Sequence, residues 1–182
     1  MYAAHLRPAF DLVTIPMSNL GDKTRYLPVR AALAQDVLGT LRIAAVWHLP
    51  ALLRDLGLDL EEVLAAAHLQ AGIFDSPDNL ITYPALEQLL LACERSSNRD
   101  DFGLLIGQRS RLAEMGLAGE AACCSDTVGE ALSRFVEHFN LHDGAATMAL
   151  VSEGGFARFI YAIAEHGMTD TRHIQLGAIT IA

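Results

Sequence analysis

The sequence predicts an α+β fold, mainly helical, with a small antiparallel β-sheet that includes a hairpin near residues 147–163. Three observations carry this expectation. Apolar residues recur at helical spacing through much of 49–142, and helix-start and helix-stop residues punctuate that stretch. Beyond it, two β-branched and aromatic runs flank Ser152-Glu153-Gly154-Gly155, a turn that positive-φ glycine favours. The chain has 182 residues, 52% of them hydrophobic, which is long enough for one domain with a real core.

Residues 1–40 read as an N-terminal extension, partly irregular. Pro8, Pro16, Gly21 and Pro28 punctuate it, and only 29–37 has the look of a short helix. The domain itself is expected over 41–182. The stretch 42–46 either begins a helix or adds a strand that enlarges the sheet. Residues 49–56 form a short helix that Gly57 stops in a left-handed conformation. Asp59 caps the next helix, with Glu61 and Glu62 in the first turn, where the helix dipole favours negative charge. A loop over 72–80 contains Pro77, Asp78 and Asn79. Pro84 suits the first turn of a helix that runs to about Ser96, with Leu86, Leu89, Leu90 and Cys93 on one face.

Asp101 opens a further helix over 102–108, and 116–124 is a run rich in Gly and Ala that suits close packing. Thr127 and Glu130 form a T-x-x-E capping box at the start of an amphipathic helix extending to His142. Its expected apolar stripe is Val128, Ala131, Leu132, Phe135, Val136 and Phe139. Strands follow over 147–151 and 156–163. Thr169 or Asp170 caps a last helix with no Gly, Pro or basic residue to end it, so more protein is expected beyond Ala182.

Composition excludes several classes of function. The net charge of −9 and pI of about 5.1 leave no basic surface run to neutralise phosphates, so these residues alone are not expected to bind DNA. Mean hydropathy is high at +0.27, yet no window is long and apolar enough for a membrane span. Its surplus is an Ala- and Leu-rich core or surface held against a partner. Three cysteines, Cys93, Cys123 and Cys124, are too few for a disulfide framework, and no signal-peptide pattern is present. Cytoplasmic residence is expected.

Five segments together carry a resemblance: LRDLGLDLEEVLAAAHL, FDSPDNLITYPALEQLL, DFGLLIGQR, MGLAG followed by TVGEALSRFVEHFNLHD, and MTDTRHIQLGA. In this order and spacing the chain resembles the N-terminal, "arabinose-binding"-type sensor domain of AraC-family bacterial transcription regulators, over roughly 49–182. The resemblance implies a domain that binds a small-molecule effector or mediates homodimerisation. It also implies a C-terminal domain with two helix-turn-helix units, absent from these residues, through which a ligand-gated activator would reach paired DNA half-sites. The label is a poor guide to the ligand, because members need not sense a sugar. An effector would act by population shift, with the last helix as the lever.

Candidate effector-binding residues are Arg109, His138, His142, Arg158 and Tyr161. Arg109, beside Arg111, is of the type that forks onto a carboxylate, although an ion pair with Asp100, Asp101 or Glu114 explains it equally well. His138 and His142 are four apart, the spacing of a metal pair with Glu137 and Asp143 nearby, but imidazoles are also favoured at a helix C-terminus. No metal and no cofactor are expected. Strand alternation sets Arg158 with Ile160 on one face and Phe159 with Tyr161 on the other, an ordinary core face or a pocket wall with a phenol tip. No G-x-S-x-G motif, convergent acid–base pair or phosphate loop is present, and the vicinal Cys123-Cys124 reads as packing, so an enzyme is not expected. Two rivals to the sensor are a ligand-free dimerisation module and a stand-alone small-molecule-binding protein or enzyme.

Overall fold

The computed structural model describes residues 10–16, 39–153, 155–163 and 168–181. The expected helix at 29–37 lies outside the described residues. Within them the fold is α+β and mainly helical. Strands are β1 (Phe10–Pro16), β2 (Thr40–Arg42), β3 (Leu80–Thr82), β4 (Ala146–Glu153) and β5 (Phe156–Ile163). Helices are α1 (Leu49–Asp55), α2 (Leu60–Ala66), α3 (Tyr83–Ser97), α4 (Phe102–Arg109), α5 (Gly116–Cys123), α6 (Val128–His138) and α7 (Arg172–Ile181).

Local chemistry sets most of the helix ends. Gly57, at φ +71°, ends α1 and lets the Leu58 N–H return to the Leu53 carbonyl at 2.9 Å. Asp59 Oδ1 accepts from the Glu61 and Glu62 N–H groups at 2.7 and 3.2 Å. Thr82 caps α3 by accepting from the Ala85 N–H. Thr127 caps α6, while the Glu130 carboxylate reaches Asp126 N–H, one residue earlier than a full capping box requires. Asp170 Oδ1 accepts from Arg172 N–H at the head of α7. Asp101 makes no side-chain cap; its carboxylate instead forks onto Arg99 at 3.0 and 2.8 Å.

The hairpin pairs β4 with β5 from Ala146↔Ile163 to Glu153↔Phe156, and Gly155 turns it at φ +84°. Strand β1 adds antiparallel to the other side of β5, giving the order β1-β5-β4. The stretch read as an irregular extension thus supplies an edge strand, and Pro16 ends it where a missing N–H costs little. Residues 40–46 are not part of this sheet, and they form no α-helix. Strand β2 forms a separate two-stranded sheet with β3, and Ile43–Val46 is a 3-10 turn.

One apolar core joins these layers, with Leu49, Leu52 and Leu53 of α1, Leu86 and Leu89 of α3, Phe102 and Ile106 of α4, and Phe159 of β5. Each such side chain contributes roughly 1.5–3 kcal/mol by leaving water. Two expectations about packing are corrected. Val128 is 55% exposed, because the buried side of α6 begins a turn later with Leu132 and Phe135. Cys123 and Cys124 are exposed, since α5 buries Ala118, Gly119 and Ala122 and the thiols fall off that face. Cys93 is the buried thiol, and burial pushes it up to about 12.

Helix α7 returns to pack against α4 and α3. The approach is close because glycine lines it: a methyl built on Gly103 would lie 2.2 Å from the His173 carbonyl oxygen. Two carboxylates fasten the start of α7. Glu87 of α3, 3% exposed, accepts from the Thr169 N–H at 2.7 Å, its hydroxyl at 3.0 Å, and the Asp170 N–H. Glu94 pairs with Arg172 and with His173 Nε2 at 2.8 Å, and these partners, His173 first, hold it below the usual range. Gly103 N–H donates to His173 Nδ1 at 3.1 Å, so the Nε2 proton faces Glu94.

Candidate functional site

A cavity lies between the helical layer and the inner face of the hairpin. Strand β2 and the following turn contribute Leu41, Ala45 and Val46; α3 contributes Leu86 and Leu90. Ile106 of α4, Phe135 of α6, Phe139, Met148 of β4 and Tyr161 of β5 complete much of the wall. Helix α7 closes it with His173, Ile174, Gly177, Ala178 and Ile181. The enclosed volume is about 70 Å3, in a cleft rather than a sealed void.

Its polar end is built by three distant segments. The α6 helix ends at His138 and tightens into a 3-10 turn over Phe139–Leu141, which carries His142 and Asp143 inward. Strand β2 clamps this segment: Arg42 N–H donates to the His142 carbonyl at 3.2 Å, and Gly144 N–H to the Thr40 carbonyl at 3.0 Å. Asp143 then folds back on its own chain, with Oδ1 accepting from Ala145 and Ala146 N–H, both at 2.9 Å. Tyr83, fully buried at the start of α3, donates its hydroxyl to Asp143 Oδ2. The Tyr161 hydroxyl lies 2.7 Å from that of Tyr83.

Burial governs the electrostatics here. It pushes the Asp143 carboxyl above its ordinary value, against the pull of Tyr83 and the two amides. Both phenols are raised, burial first, so they stay protonated. His142, 6% exposed, is lowered to about 4, by burial and then by the charge of Arg42. Its imidazole is therefore neutral at physiological pH. Its Nδ1 is buried with no hydrogen-bond partner among the described residues, a cost that buried polar groups rarely carry. The Phe139 ring packs edge-on to Tyr161 and tilted on His142.

Residues 57–181 match the family model described as "Arabinose-binding domain of AraC transcription regulator, N-term". The chain belongs to this family. The matched span holds the whole cavity wall except its β2-side residues Leu41, Ala45 and Val46. A weaker similarity links the chain to the ornithine utilization regulator of Pseudomonas aeruginosa, 24% identical over 106 residues. That alignment covers 58% of this chain and 31% of the relative, so the chain spans well under two thirds of that protein's length. The family is one of regulatory domains and not of enzymes.

The regulator domain gathers some of the predicted residues and separates others. His142 and Tyr161 line the cavity together. The buried face of β5 carries Ala157, Phe159, Tyr161 and Ile163, and Arg158 lies half-buried on the opposite face, as strand alternation requires. His138 is half-buried outside the cavity wall; the helix expected to reach His142 stops first, so the two imidazoles do not share a helix face. Arg109 pairs with Asp55 at 2.8 Å on the surface rather than with Asp100, Asp101 or Glu114. Four residues were not foreseen in their roles: Tyr83, Asp143 as a hydrogen-bond hub, Glu87 and His173. No local pattern marks Tyr83, Glu87 or His173 for these roles, and the adjacent His142-Asp143 shows only an imidazole next to a carboxylate.

Proposed function

We propose that this cavity is the effector site of a sensor domain, and that its occupancy is passed to the rest of a longer regulator through α7. The observation that carries the reading is the share of the cavity wall that α7 supplies: His173, Ile174, Gly177, Ala178 and Ile181. A ligand in this space touches the helix directly, and so has the differential contacts that a population shift needs. In the whole protein the following domain binds DNA, and the regulator acts as a cytoplasmic homodimer that activates transcription. Those parts rest on the family and on the greater length of the relative. Of His142 and Tyr161 on the one hand and Arg109, His138 and Arg158 on the other, the first two are the proposed ligand contacts.

The relative's name speaks of ornithine utilization, and the family's of arabinose. Neither ligand is carried over. No Lys or Arg side chain is among the described residues lining the cavity to receive an amino-acid carboxylate, and the mostly aliphatic and aromatic wall lacks the donors and acceptors of a polyol site. A fragment screen read by methyl NMR tests the site itself. Fragment-to-protein NOEs should converge on Ile106, Met148 and Ile174. Hits that bind reproducibly but map only to the outer surface would overturn the assignment.

A further inference from the structure

The hydrogen bonds around Asp143 fix which way the protons run. Tyr83 donates to Asp143 Oδ2, so its own proton is committed. The 2.7 Å contact between the two phenols then requires Tyr161 to donate to the Tyr83 oxygen. Tyr161 thus lines the cavity with its proton used and with no further hydrogen bond to its oxygen among the described residues. His142 lines the same cavity and packs on the same Phe139 ring as Tyr161, and its buried Nδ1 has no hydrogen-bond partner among the described residues. A neutral imidazole offers one acceptor and one donor. The polar end of the cavity is an acceptor pole with one imidazole N–H.

Charged ligands fit this pole poorly. A carboxylate meets no lining Lys or Arg and would approach Asp143 and an oxygen that has no proton to give. An ammonium would be desolvated against an apolar wall, at the end where Arg42 already acts on His142, and both Asp143 oxygens already accept hydrogen bonds. A hydroxyl matches: it donates to Tyr161 and accepts from an imidazole. Size limits the rest. The enclosed 70 Å3 is about half of the ~150 Å3 void that holds benzene, so the buried part of the ligand is short.

We infer that the occupant of this cavity is an uncharged molecule with a short apolar body and a hydroxyl group, the hydroxyl donating to the Tyr161 oxygen in the wall it shares with His142. This rests on the proposed effector site and narrows its ligand to one chemical class. The test is an NMR titration of the full 182-residue chain with four probes of nearly equal size: 1-butanol, methyl propyl ether, 1-butylamine and butyrate. The expected order places 1-butanol first, with the ether about three- to tenfold weaker for want of a donor, and with butyrate weakest. Tyr161→Phe should bring the alcohol down to the ether and leave the ether unchanged. Butyrate or butylamine binding in the cavity as tightly as the alcohol, or an ether equal to it, overturns the inferred class while the site stands. No probe shifting the Ile106, Met148 or Ile174 methyl resonances overturns the site as well. The wild-type series decides even where the Tyr161→Phe protein does not fold.

Discussion

Tyr83, Asp143 and Tyr161 come from positions 60 and 78 residues apart, and the bonds among them decide what the cavity can accept. Replacing Tyr83 by Phe removes a donor from a buried carboxylate while keeping the ring. The expected cost is about 1.5–3 kcal/mol, read from urea unfolding, and an unchanged midpoint would count against the hub. His142 supplies a pH signature. The unfolded imidazole takes up a proton near 6.5, whereas in the fold it resists until about 4, so within that window the unfolded chain binds more protons. Stability therefore falls as the pH falls from 6.5 to 4, by about 3 kcal/mol from this group. Asp143 works in the opposite sense, its raised value favouring the fold as it protonates, and it is common to both proteins in a comparison. His142→Phe should show the shallower acid limb of the two; parallel limbs would refute the assignment. Tyr161 and His142 could be singled out from the sequence because residue type and strand alternation are local. That Tyr83 and Asp143 would meet them could not, because nothing near either residue encodes a contact made across so much chain.

At the scale of elements, what the sequence disclosed was what neighbouring residues decide. Gly57, Asp59, Thr127 and Asp170 each mark a helix end through a bond to residues a few positions away. Helix α6 ends four residues before its sequence pattern does, since its last turn is undone by Asp143 bonding to Ala145 and Ala146 and by β2 clamping the same segment. The α4–α7 contact is likewise a tertiary matter. A methyl at Gly103 would collide with backbone atoms of His173, at 2.2 Å from its carbonyl oxygen and 2.6 Å from its Cα, so a helix must move. Gly103→Ala is expected to destabilise the domain by about 1–3 kcal/mol and to speed amide exchange in α7. Gly72→Ala, whose methyl would come no nearer than 3.4 Å to a flexible Asp75 oxygen, is the control, with an expected change within about 0.5 kcal/mol. Equal effects of the two would show that the close helix approach is not what matters.

Over the whole molecule, the fold class and the hairpin followed from periodicity, but the pairing of β1 with β5 did not. A strand seven residues long at 10–16, with a register irregularity between Asp11 and Val13, gives too weak an alternation to stand out from a Pro- and Gly-punctuated stretch. The cavity is also a property of the whole, since seven strands and helices and the segments between them each lend it only one to five residues. Its proposed role depends on one coupling, between the space beside Tyr161 and the helix that leaves the domain. The direct measurement is amide hydrogen exchange across Arg172–Ile181, with and without a saturating cavity ligand taken from the fragment screen. The account predicts a change in protection along α7, strongest near His173 to Ala178, that follows the ligand's own binding curve. Cavity methyl resonances that saturate while every α7 amide exchanges as before would contradict it.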